Sequence, residues 1–275
     1  MDRPTLLCHL ELNEENRAVL DATLDLAAAT GAAVIGIAAC QPMQPFGETP
    51  YAGDMLEADL AEIGRQTAIV EENFRSRLDG KVHQLAFRSA ATYQELADYI
   101  AGQARASDFI VTGPELGGGL FANTRHANIG DLVMNAGRPV VIVPAHATGC
   151  RLDNVVVAWK DRREARRALL DALPLLKHAR RVVVAEVARK GDADNAAGRT
   201  ADVVAWLARH KIHAEALVRV ATGTDVDSLR NLLEEQACDL LVAGAYSHSR
   251  IGEWAFGGVT ADLLLHPARC TLVSH

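Results

Sequence analysis

Between residues 244 and 260 the chain reads GAYSHSRIGEWAFGGVT, with glycines at 244, 252, 257 and 258 and Ser247, His248, Ser249 and Arg250 among them. Glycines let backbone N–H groups come close to a bound anion, and hydroxyls and cationic side chains add further donors. A helix that starts after such a loop turns the positive end of its dipole toward the same anion. The chemistry this composition suits is the binding of phosphate or another anion. Acyl transfer suits it less well, because Ser247, His248 and Ser249 adjoin one another without an acidic residue spaced to orient the imidazole. The ten histidines form no H-x3-H pair and no Cys/His cluster; His210 and His213 are the nearest pair and read as turn residues, so no metal site is expected. G-x-S-x-G, Walker A and strand-borne G-x-G-x-x-G patterns are missing, which sets hydrolase and dinucleotide readings aside. Arg162, Arg163, Arg166 and Arg167 make a basic helix start that reads as a solvated face.

The loop is positioned by what precedes it. CDLLVA (238–243) is a short apolar run of the kind that forms a buried strand. That strand has a counterpart: ASDFIVTG (106–113) matches ACDLLVAG (237–244) at an offset of 131. The same offset lays DLVMNAGRPVVIV (131–143) over DLLLHPARCTLVS (262–274) without a gap, and TLLCHL (5–10) pairs with NVVVAW (154–159). The chain is one unit written twice, with domains expected at 1–147 and 151–275. Strands and helices alternate within each unit. In the first, helices are expected near 14–30, 55–78, 93–105 and 129–137; in the second, near 163–178, through 201–210, at 228–237 and at 259–266. Five strands and four helices per half, joined by connections of this length, predict an α/β protein with two tandem, doubly wound, parallel five-stranded sheets. Ligands of such sheets sit beyond the carboxyl ends of the strands, near a switch in strand order, and the Gly-rich loop begins at one of those ends.

Composition sets the class. The 275 residues are 49% hydrophobic and 23% charged with 5% aromatic, a mix that suits helices on a buried parallel sheet. No run approaches the apolar length of a membrane span, and the acidic N-terminal stretch MDRPTLLCHLELNEEN does not resemble a signal peptide, so a cytoplasmic protein without membrane contact is expected. The five cysteines are widely spaced, mostly in apolar runs, and read as reduced core residues. A net charge of −7 argues against nucleic acid as a partner. The charge is uneven: residues 1–150 hold 10 Lys and Arg against 19 Asp and Glu, while 151–275 hold 18 against 16. That contrast either draws a partner or an anionic ligand toward the second half or marks two solvated surfaces that have drifted apart in charge.

The tandem βαβ halves, the A-x-D-L-L-V-x-G strand, AWKDRREARRALLDALPLL (158–176), GAYSHSR and FGGVT resemble the universal stress protein family, and specifically its tandem bacterial members. The resemblance covers essentially the whole chain. It implies an adenine nucleotide alpha hydrolase-like fold, a stress-response role, no enzymatic turnover beyond slow ATP hydrolysis, and ATP with Mg as the candidate ligand of the C-terminal half only. The nucleotide-binding branch carries G-x2-G-x9-G-[ST] after the fourth strand. Here Gly244 and Gly257 stand at the first and third glycines, Ser247 at the second, and Gly258, followed by Val259, at the hydroxyl position. From the ends of the first two strands the resemblance adds Ala158, Trp159, Asp161 and Val187, with Lys160 where the family places Asp. Trp159 would stack on a base or, somewhat better, fill the pocket itself. In the first half Leu116, His126 and Ala127 occupy the motif positions and only Gly113 survives, so that half is expected to hold no nucleotide. The family's last strands pair across two-fold axes, which makes VVIV (140–143) and TLV (271–273) the candidate edges for domain pairing and for a homodimer. A non-nucleotide-binding interaction protein, acting through such pairing, is the alternative.

Overall fold

The computed structural model describes residues 3–44, 51–114, 125–245 and 267–275. Strands β1 (Thr5–His9), β2 (Ala33–Cys40), β3 (Leu85–Ala91), β4 (Phe109–Thr112) and β5 (Val140–Ile142) belong to the first half, with helices α1 (Arg17–Thr30), α2 (Ala52–Leu78), α3 (Leu96–Gln103) and α4 (Ile129–Asn135) between them. The second half contributes β6 (Asn154–Ala158), α5 (Arg163–Leu176), β7 (Arg181–Ala188), α6 (Ala193–Arg209), β8 (Ala214–Val220), α7 (Asp225–Glu235), β9 (Leu240–Gly244) and β10 (Cys270–Ser274). The last helix expected from sequence, over 259–266, lies outside the described residues.

Local signals set most boundaries. Gly31 ends α1 in the left-handed conformation and returns its N–H to Ala27. Asn128 caps α4 by accepting the Asp131 N–H at 2.7 Å, and Thr224 caps α7 through the Asp227 N–H at 3.1 Å. Helix α3 starts at Leu96 rather than at the expected residue 93.

All ten strands among the described residues form one sheet, ordered β3-β2-β1-β4-β5-β10-β9-β6-β7-β8. Each half is parallel throughout, and the halves meet at an antiparallel seam where Thr271 faces Ile142, Leu272 faces Val141 and Val273 faces Val140. The two edges expected to serve domain pairing and a homodimer are therefore both consumed within one chain. The strands left at the outer edges are β3 and β8. Helices cover both faces. Leu6, Cys8 and Leu10 point into the larger core with α1, α2, α5 and α6, while Leu7, Ile37 and Ile110 pack with α3 and α4 on the opposite face. In the second half α7 fills that opposite side through Leu229, Leu232 and Leu233. The larger core runs across the seam through Val141, Val143, Leu272 and Leu152, and α1 touches α5. Burial of both sheet faces explains why these strands read as continuous apolar runs rather than alternating ones.

Candidate ligand crevices at the two switch points

In each half the chain leaves the first strand to one side and returns on the other, so β1 and β4 flank one crevice and β6 and β9 flank its counterpart. The second-half crevice is where sequence placed a ligand. Ala158 and Ala243 face each other at its floor. Beyond them Trp159 continues the strand, its N–H bonded to the Ala185 carbonyl at 2.7 Å. The Trp159 side chain is only 8% exposed and joins the larger core, as a strand-end indole that packs. Its Nε1 is the single buried side-chain N or O atom among the described residues with no hydrogen-bond partner.

Gly244 ends β9. An ideal Cβ built on it would lie 2.5 Å from the Glu164 carbonyl carbon and 2.6 Å from the Ala165 nitrogen, so the first turn of α5 rests directly on this residue. The glycine is required by backbone contact there, whatever else it does. Asp161 points to Arg166, 2.6 Å away, with both side chains more than half exposed. Val187 is half-buried one strand further out, beside Arg219 of β8. Its neighbour Glu186 is buried and held by Arg199, which also binds Asp192 at 2.7 Å. The structure thus gathers Ala158, Trp159 and Gly244 at one crevice and sets Asp161 and Val187 at its margin. Ser247, Gly257, Gly258 and Val259 lie outside the described residues.

The first-half crevice holds a polar network that motif reading missed. His9 Nδ1 and Thr112 Oγ1 lie 2.9 Å apart across it, both side chains buried. Glu11 stands beyond them, with His9 Nε2 at 3.7 Å from one oxygen and His126 Nδ1 at 3.2 Å from the other, and it also accepts the Ala127 N–H at 3.3 Å. Arg125 continues the chain of contacts to Cys40 Sγ at 3.1 Å and to Asp59 at 2.6 Å. A cavity of about 330 Å³ opens outside, lined by Asn13, Glu14, Asp59, Arg125 and His126 among others. By the repeat, the His9–Thr112 pair corresponds to the apolar Ala158–Ala243 pair. The signal in the sequence was a histidine and an acid within CHLE, and a threonine ending the strand FIVT. The half that lost the glycines kept the acid after its first strand, and the half that kept glycines has Lys160 there.

The two histidines of this network titrate in opposite senses. Burial pushes His9 below the usual 6.5, whereas the hydrogen bond that His126 donates to Glu11 lifts His126 above it. The stability that His126 adds is fully present below pH 6.5 and fades as pH rises through its raised value; that of neutral His9 is present above pH 6.5 and fades as pH falls. We expect His126→Gln to lower the urea midpoint more at pH 6 than at pH 8. His9→Gln is expected to flatten the loss of stability on the acid side. Parallel shifts at both pH values for His126→Gln would show that its contact with Glu11 carries no proton linkage.

Neither a protein-family model nor a curated protein matches the sequence. Among solved structures, a universal stress protein from Archaeoglobus fulgidus DSM 4304 superimposes with a TM-score of 0.71 at 14% identity, covering 100% of this chain and 99% of that one. This is the tandem universal stress protein fold. A functionally unknown protein from Pseudomonas aeruginosa PAO1 matches with a TM-score of 0.57 at 12% identity, over 98% of this chain and 92% of the other. Both matches span the two halves together. No helix among the described residues is long and apolar enough to cross a membrane.

Proposed function

We propose that this chain is a tandem universal stress protein whose second half binds an adenine nucleotide, with ATP and Mg as the candidate ligand, and whose first half has closed its own crevice over an internal polar network. The supporting observation is the Trp159 Nε1–H, buried at the end of β6 without an acceptor. Such a donor costs about 1–3 kcal/mol when left unpaired, and a nucleotide beyond β6 and β9 would offer ring nitrogens and phosphate oxygens to satisfy it. In this reading Gly244, Ser247, Gly257, Gly258 and Val259 supply the anion contacts, while Ala158, Asp161 and Val187 bound the base and ribose. The role is to hold a ligand in a cytoplasmic stress response, with at most slow hydrolysis.

A second reading, an interaction protein without nucleotide, draws support from Gly244, whose contact with α5 accounts for that glycine without any phosphate. Thermal melts of the whole chain with and without millimolar Mg-ATP separate the two. A ligand at 100 times its dissociation constant adds about 2.7 kcal/mol. Trp159→Phe keeps a ring in the core and removes the donor. Without ligand it is expected to melt at the wild-type temperature or above, and with Mg-ATP to bind more weakly by a factor of about 5 to 150. An unchanged wild-type melting temperature in ATP would end the nucleotide reading and favour the second.

A further inference from the structure

The connection between the halves carries a feature that neither crevice uses. After β5 the chain runs to Gly149 and Cys150 before entering β6. Cys150 is 1% exposed, and Cys270, the first residue of β10, is 2% exposed. The Cys270 Sγ–H donates to the Gly149 carbonyl at 3.5 Å, which sets its sulfur against the peptide that leads into Cys150, and both side chains belong to the same buried core cluster. The linker backbone is held in place to make this contact. The Cys150 N–H donates to Asp25 Oδ2 of α1 at 3.0 Å. Gly149 sits at φ 150°, and a Cβ there would fall 2.1 Å from the same oxygen. The other three thiols have different partners: Thr23 for Cys8, Arg125 for Cys40 and Arg269 for Cys238.

We propose that Cys150 and Cys270 are a modification site, a dithiol that a peroxide converts reversibly to a disulfide tying the interdomain linker to the last strand. One sulfur attacks a peroxide oxygen; the S–O bond forms as the O–O bond breaks, and water leaves. The second sulfur then attacks the resulting sulfenic acid, the S–S bond forms, and the hydroxyl departs with the second thiol's proton as another water. Two thiols and one peroxide give a disulfide and two waters, so the peroxide is the two-electron oxidant. A dithiol reductant reverses the change by exchange. The neighbouring Cys270, and then burial, hold the Cys150 thiol well above its usual range, so Cys150 stays protonated and shielded until the linker lifts. Oxidation is therefore slow and gated by that movement. The bond closes a ring from residue 150 to residue 270 that contains nearly the whole second half, and long rings restrict the unfolded chain most.

The test uses the full chain. The reduced protein is treated with hydrogen peroxide under native conditions, its remaining thiols are alkylated in denaturant, and the digest is mapped by mass. The expected result is one crosslinked peptide pair joining Cys150 to Cys270, lost on treatment with dithiothreitol, with Cys8, Cys40 and Cys238 all alkylated. The oxidised chain should unfold at higher urea than the reduced one. Cys150→Ser and Cys270→Ser should each abolish both the crosslink and the urea shift. Alkylation of both residues after peroxide, separate sulfinic acids, linkage to any other cysteine, or a crosslink that forms only in urea would overturn the proposal. Because the mapping is done on the wild-type chain, it decides the matter even if a serine variant folds poorly.

Discussion

Gly244→Ala is expected to destabilise the protein by at least about 2 kcal/mol, a fall in melting temperature on the order of 5 °C. The added methyl would meet backbone atoms of Glu164 and Ala165 at 2.5 and 2.6 Å, and a helix start cannot swing aside as a flexible side-chain tip can. The repeat supplies the control. Gly113 stands at the same place in the first half, yet among the described residues a Cβ there would touch only Val19 Cγ2 at 3.8 Å, an ordinary contact. Gly113→Ala should therefore stay within about 0.5 kcal/mol of wild type, or gain slightly by stiffening the unfolded chain. Urea denaturation of the two variants side by side makes the comparison, and equal losses would refute the close approach of α5 to β9.

The second large effect is expected at the seam. Leu272 is fully buried on β10, opposite Val141 of β5 and beside Val242 of β9. Leu272→Asp would place an unpaired carboxylate there at a cost of about 3–5 kcal/mol, enough to threaten folding of the chain. The same charge at Val220, the last residue of outer strand β8 and 38% exposed, should cost less than about 1 kcal/mol. Soluble yield and urea midpoints report the contrast. If Val220→Asp proved the more damaging, the seam would not be the centre on which both halves depend.

Much of this architecture was legible in the residues. Runs such as TLLCH, NVVVA and LLVAG announce strands because both sheet faces are buried, and the 131-residue offset shows that the second half repeats the first. The offset also found the two strands that meet at the seam, and the resemblance made them the candidate edges for domain pairing. What sequence could not show is contact that depends on strand order. His9 reaches Thr112 across 103 positions and His126 reaches Glu11 across 115, and both contacts exist only because β4 returns beside β1. No local pattern encodes that return. Trp159 was legible as a packing residue, but its stranded indole N–H was not, since the absence of an acceptor is a property of everything around it.

The antiparallel seam carries a consequence for how such a protein can diverge. Two identical subunits joined along that line would have to accept every substitution twice, once on each side. Fusing them into a single chain removes that obligation, so one crevice can turn inward on histidines and a glutamate while the other keeps a tryptophan and its glycines. It also makes the pairing independent of concentration: dilution, which dissolves a dimer, leaves the two unlike halves side by side.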